Sequence, residues 1–250
     1  AAGATLDFGG GVQALNTAAS ITGASTSTVR ISGGTLTLNS GSTYTAPITN
    51  LSGGTLTVNS GATASTVGGT FSSGGLAGTG TFTVATASGT YTWTGGTMSG
   101  TGTTAVPTGS TLTLSGSNDK ILTTRTLTNA GTLTWTGTGN LAMNDGPVFT
   151  NQAGATFDIQ TDATLGHTIC CPISATVNNA GLLVKSAGTG TTTFGMTAGG
   201  GLLVFNNTGT VDVQTGTLKL SGGGTSTGSF NVAAGATLDF GGGVQALNTA

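Results

Sequence analysis

The eighteen residues AAGATLDFGGGVQALNTA at positions 1–18 recur letter for letter at positions 233–250, an offset of 232 residues. Eighteen identical residues do not recur by chance. The chain therefore reads as one 232-residue unit, residues 1–232, followed by the start of a second copy, residues 233–250. A unit that joins end to end with itself must fold so that its last element leads into its first. Stacked repeats meet this condition, because each unit contacts only its neighbours and length adds little strain.

The apolar residues say what is stacked. They alternate with threonine in short runs of the form Thr-φ-x-φ, where φ is apolar, which is the period of a half-buried strand. The inner residues of these runs are Leu6, Leu36, Leu56, Phe82, Leu112, Leu133, Phe157, Leu183, Val211 and Leu238. From Leu6 to Leu238 there are nine steps, about 26 residues each. Sandwich strands recur every ~8–12 residues, whereas one turn of a parallel β-solenoid takes a length like this one. No segment keeps a helical period.

The expected fold class is therefore all-β, a right-handed parallel β-helix with about nine coils per 232-residue unit, continuous over residues 1–250. TVDV (210–213), TLKL (217–220) and SFNV (229–232) suggest three short strands per turn. The inner residues of the successive runs should stack as a buried column. A second pattern, φ-x-Asn-x-Gly, precedes several strands at Asn129, Asn179 and Asn207, with looser forms at Asn50 and Asn151. Asn129, Asn179 and Asn207 are expected to share one corner and to hydrogen-bond along the axis. The copies at 1–18 and 233–250 carry no polar cap, so the stack is expected to continue on both sides.

Composition narrows the function classes. Glycine supplies 47 residues, charged residues only 5%, and the net charge is −2. Phosphate binding needs clustered Lys and Arg, so nucleic acid is not an expected partner. No run of about 18 apolar residues is present, so no membrane-spanning helix is expected.

GGTLTLNSG (33–41), GGTLTVNSG (53–61) and GTLKLSGGG (216–224) resemble the β-strand repeats of bacterial surface proteins of the autotransporter and filamentous-haemagglutinin types. The resemblance implies an exported right-handed β-helix used as a stalk or adhesin, and it carries no catalytic or binding residues with it. The long unit is similar to part of a giant tandem-repeat stalk or fibre.

Three constellations could carry chemistry. The first is a set of threonine pairs: Thr35 and Thr37, Thr55 and Thr57, Thr81 and Thr83, Thr111 and Thr113, Thr132 and Thr134. They are expected at one place in five successive coils, each pair flanking an inward apolar residue. They would then form two rows of hydroxyls on a flat face, as on ice-binding β-solenoids. Asp212 and Asp239 are expected at the same outward position of successive coils, where stacked carboxylates could coordinate calcium or mimic the acidic pair of a glycosidase. The segment 162–172 holds His167, Cys170 and Cys171. Adjacent cysteines are ~3.8 Å apart at Cα, short of the usual ~4.4–6.8 Å for a disulfide. Cys170 and Cys171 are therefore candidates for inter-chain cross-links, and no metal or catalytic site is expected there.

The function expected is structural: a non-enzymatic repeat of an extracellular or cell-surface filament, stalk or sheath, with an adhesive role open. Its partners would be copies of itself, in a tandem array and in lateral bundles. Ice or surface binding through the Thr rows is the alternative, and a carbohydrate-active β-helix enzyme is a third reading.

Overall fold

The computed structural model describes residues 3–86, 88–166, 173–195 and 203–248. Over these residues the chain has 29 strands and no helix. All strand pairings are parallel, and most strands pair with the third strand further along the chain. This pattern makes a parallel β-solenoid with three strands per turn.

Three faces run along the stack. Face A begins with Thr5–Phe8, face B with Val12–Leu15 and face C with Ser20–Thr22. Ten successive pairings carry face A from Thr5–Phe8 to Ser229–Val232, which makes eleven coils, numbered here from the amino-terminal side. Coils differ in length; Thr210 lies 28 residues beyond its face-A counterpart Leu182, and Ser229 only 19 beyond Thr210. Thr43–Val58 and Thr63–Ala77 keep pairing around the corners, each running over three faces in turn.

The alternation of threonine with Leu, Val or Phe is what forms these strands. β-Branched threonine suits the pleated, half-exposed surface. The residues between point inward and meet the same position of the next coil. One column of face A runs Ile31, Leu51, Phe71, Trp93, Leu114, Trp135 and Ile159, all buried. Phe71 and Trp93 stack with ring centroids 6.0 Å apart and planes within 4°. Trp135 is a core residue, as its inward position predicts, and its Nε1–H is satisfied by Gly139 O at 3.2 Å. Gly41 and Gly61 take φ of 78° and 82° at the Asn-Ser-Gly corners, a left-handed conformation that glycine adopts without steric cost.

The turn is shorter than the spacing of the strong runs predicts. Between the identical segments lie ten and a third coils, not nine. Thr5–Phe8 lies on face A, whereas Thr237–Asp239 pairs with Thr217–Leu220 on face B. The expected single column splits accordingly. Leu36 and Leu56 adjoin on face B, Phe82 lies on face C, and Leu112, Leu133, Phe157, Leu183 and Val211 follow one another on face A. All of these are fully buried; Leu238, in coil 11 of face B, is partly buried against the core, and Leu6, in coil 1 of face A, is exposed, contrary to the expectation.

One reason is that strands with the same apolar pattern, TVRI (28–31) and TYTW (90–93), fall between the counted runs; another is a class of strand with no apolar signal. Gly224–Ser226 closes coil 10 between TLKL and SFNV, and its inward residue is Ser226, buried and held by Asn207 Nδ2 at 3.2 Å. A hydrophobic period cannot register such a strand.

Candidate functional site

The predicted Thr rows do not form one array. Thr35 and Thr37 pair with Thr55 and Thr57 on face B, so the first two expected pairs form a separate patch there. Thr81 and Thr83 lie on face C. Thr111 and Thr113 adjoin Thr132 and Thr134 on face A. The expectation of a common face is thus corrected for all five pairs. In particular, Thr37 and Thr57 are neighbours of each other but not of Thr83, Thr113 or Thr134. The shorter coil is the cause: it moves successive pairs to faces other than the one that nine equal turns would give.

The structure assembles a longer array on face C. One file of outward residues is Ser20, Thr43, Thr63, Thr81, Thr103 and Thr126, in six consecutive coils. The second is Thr22, Thr45, Ser65, Thr83, Ala105, Thr128 and Thr150. Files two residues apart on a strand are about 6.4–6.8 Å apart, and successive coils about 4.8 Å. No charged residue points outward from this stretch of face C. None of its side-chain hydroxyls bonds to another group of the described protein. Face A has a smaller field, in which Thr90 and Thr92 of coil 5 precede the pairs at Thr111 and Thr132 in coils 6 and 7.

Beneath the corner between faces C and A runs a buried asparagine ladder. Asn129 Nδ2 donates to Asn151 Oδ1 at 2.9 Å, Asn151 Nδ2 to Asn179 Oδ1 at 2.8 Å, and Asn179 Nδ2 to Asn207 Oδ1 at 2.8 Å. The second amide hydrogen of each closes the corner, reaching Thr156 O from Asn129, Leu182 O from Asn151 and Thr210 O from Asn179. The φ-x-Asn-x-Gly pattern predicts the corner shared by Asn129, Asn179 and Asn207, and the adjacency of Asn179 and Asn207. Asn151 joins the same ladder despite its looser spacing. A second ladder, Asn16, Asn39 and Asn59, runs along the corner that follows face B, with bonds of 2.8 and 2.9 Å. Its sequence signal is the asparagine after each of LDFGGGVQAL, TLTL and TLTV.

Three cations lie in the interior with no exposed surface: Lys120, Arg125 and Lys185. Sequence reasoning places charge outside and misses them. Among the described residues Arg125 faces no carboxylate; it donates to Thr104 Oγ1, Ser99 O and Thr103 O at 2.9–3.0 Å and reaches Gly78 O and Gly80 O at 3.3–3.4 Å. One guanidinium thus ties coil 6 to coils 5 and 4. Burial pulls it down to about 10, so it stays charged at neutral pH. Lys120 Nζ donates to Asn118 O at 2.9 Å; burial lowers its pKa and the Asp119 charge works against that. Lys185 takes an inward place between Ile159 and Val213. Its Nζ donates to Thr161 O, Asp162 Oδ1, Ala187 O and Thr192 Oγ1. Burial disfavours the Asp162 charge, but Lys185 and the Gly190 N–H outweigh it and hold the carboxyl below its usual range.

The stacked carboxylate pair is not formed. Asp212 lies on face A between Val184 and Asn231, and Gln214 Nε2 donates to it at 2.7 Å. Asp239 lies on face B beside Lys219, with Nζ 3.8 Å away. They cannot share a calcium ion or act as an acid–base pair, because an added strand puts them on different faces. The other carboxylates are also engaged: Asp7 by Arg30 and Ser32, Asp119 by the Asn140 N–H, Asp145 by Thr123, and Asp158 by Gln160 and Ser186. Among the described residues no three His, Cys, Asp or Glu side chains come together, and no helix is long and apolar enough to cross a membrane. His167, Cys170 and Cys171, with the predicted cross-link, lie outside the described residues.

What the fold defines is a class, the three-sided parallel β-solenoid, with a flat hydroxyl field on one side. Comparison with protein-family models, characterised proteins and solved structures finds no match.

Proposed function

We propose that this chain is a structural, non-enzymatic segment of an exported filament, stalk or sheath at the cell surface, of the kind its strand repeats resemble. The observation that carries the reading is the letter-for-letter recurrence of residues 1–18 at 233–250 on a stack whose parallel pairing runs unbroken between them. Such a unit can be propagated by adding copies, and repetition builds length rather than catalytic capacity. Antibodies against this segment, imaged by electron microscopy on intact cells of the source organism, test it. The reading expects label along surface filaments or a sheath; label confined to the cell interior refutes it.

A second reading is favoured by the face C hydroxyls, which have no partner within the described protein. Two waters bonded tetrahedrally to a third lie about 4.5 Å apart, given the ~2.7–2.8 Å oxygen–oxygen hydrogen bond. The coil spacing of about 4.8 Å lies close to that. Ordered water therefore fits the field, whereas a sugar lattice would call for outward aromatic rings, and Tyr44 and Phe82 on this face point inward. Thermal hysteresis of the purified segment, lost when Thr45→Tyr is combined with Thr83→Tyr and kept in Thr113→Tyr, is the expected result. Absence of hysteresis in the unaltered segment removes ice binding.

A further inference from the structure

The identical segments agree at all eighteen positions, but their surroundings differ. Asp7, on face A, accepts hydrogen bonds from Arg30 and Ser32; its counterpart Asp239, on face B, lies beside Lys219. Leu6 stacks on Val29 in face A, whereas Leu238 stacks on Leu218 in face B. Both environments stack the leucine on an apolar residue of the next coil and leave the aspartate partly exposed beside a cation. A strand's register in such a stack is set by which side chains point inward, and all three faces meet that requirement alike. Nothing forces a copy back to the face where the previous copy began.

We infer that successive 232-residue copies are related by a screw, with a rise of ten and a third coils and a rotation of a third of a turn. At about 4.8 Å per coil the rise is ~50 Å per copy, and three copies, ~150 Å, restore the starting face. Each surface feature moves one face per copy, from A to B to C and back to A. The face C hydroxyl field of one copy lies on face A in the next and on face B in the third. A fibre built this way presents that field on all three sides, so a flat hydrogen-bonding partner meets it from any direction of approach. The inference rests on the tandem-array reading above and adds its geometry.

The register names the contact that decides it. Ser229–Val232 is the face-A strand of coil 11, with Asn231 pointing outward and exposed. If the phase continues, the second copy's Ser20–Thr22 strand falls on face A above it, with Thr22 beside Asn231. If the copy instead returns to its original face after Gln245–Leu247, its Thr28–Ile31 strand comes to face A and Arg30 of the second copy takes that place. Paired residues on neighbouring strands, about 4.8 Å apart, lie within the ~4.4–6.8 Å Cα range of a disulfide.

In a chain carrying residues 1–232 twice, with Cys170→Ser and Cys171→Ser in both copies, two cysteine pairs are compared under mild oxidation. Asn231→Cys of the first copy with Thr22→Cys of the second is expected to form a reducible intramolecular cross-link in nearly all molecules. Asn231→Cys with Arg30→Cys of the second copy is expected to stay reduced. The reverse result, or no cross-link in either chain, overturns the screw. Electron microscopy of the same chains gives the rod length separately. Rods that double in length without the expected cross-link would overturn the screw and leave the filament reading standing.

Discussion

Asn151 Nδ2 donates to Asn179 Oδ1 at 2.8 Å, and neither side chain reaches solvent. Each amide in this line bonds to its counterpart in a neighbouring coil. Removing one leaves its neighbours with buried, unmatched groups, at a cost of about 1–3 kcal/mol for each group left unsatisfied. Asn179→Val is therefore expected to lower stability by ~3 kcal/mol, and Asn151→Val by a similar amount. The double variant removes both partners of the shared bond and should cost less than the sum by ~1 kcal/mol. Urea unfolding of the four chains checks this; full additivity would show that the ladder bond is not made.

Arg125 is expected to matter more than any surface charge. It serves Ser99 O, Thr103 O and Thr104 Oγ1 from inside the stack. Arg125→Ala removes charge-assisted donors from buried acceptors and should cost about 3 kcal/mol or more. Arg30→Ala removes a half-exposed partner of Asp7 and should have a much smaller effect, as exposed ion pairs contribute little. Equal midpoints for the two variants would contradict the interior role of Arg125.

In the aliphatic core, Leu133 lies between Leu112 and Phe157 with no exposed surface. Leu133→Ala should destabilise by about 2–5 kcal/mol, because stacked rigid coils collapse poorly into a cavity. The measurement is the shift in thermal midpoint against Thr134→Ala on the same strand, which should change little.

Alkali is expected to unfold the chain through Tyr44 and Tyr91. Burial raises both phenols above their ordinary value, and the Tyr44 hydroxyl is paired with Thr49 Oγ1 at 2.8 Å. A raised folded-state value means the folded chain resists ionisation that the unfolded chain undergoes freely. The contribution of the neutral phenols is intact below the unfolded value of about 10 and is lost as pH climbs above it. Phenolate absorbance should therefore appear together with loss of strand signal. Tyr44→Phe combined with Tyr91→Phe should flatten the stability profile above pH ~10. Phenolate formation in the folded chain would contradict the burial.

Most of the architecture is legible where inward residues are apolar, as in Leu112, Leu133 and Phe157. The coil count is not: strands such as Gly224–Ser226 bury a serine instead, and apolar strands such as Thr28–Ile31 fall between the evenly spaced runs. The same cause leaves Thr37 and Thr57 on a different face from Thr83, and separates Asp212 from Asp239. Asparagine corners are legible because φ-x-Asn-x-Gly combines an inward amide with a turn. Arg125 leaves no comparable trace: its acceptors are mostly carbonyl oxygens, which every residue possesses.

The most direct measurement is the distance between spin labels at Thr28→Cys and Ser229→Cys, in a chain with Cys170→Ser and Cys171→Ser. Both sites lie at the first outward position of face A, nine coil steps apart. At about 4.8 Å per step a straight stack gives ~43 Å in a single narrow distribution. A distance well below ~30 Å, or a broad distribution, would contradict one continuous solenoid.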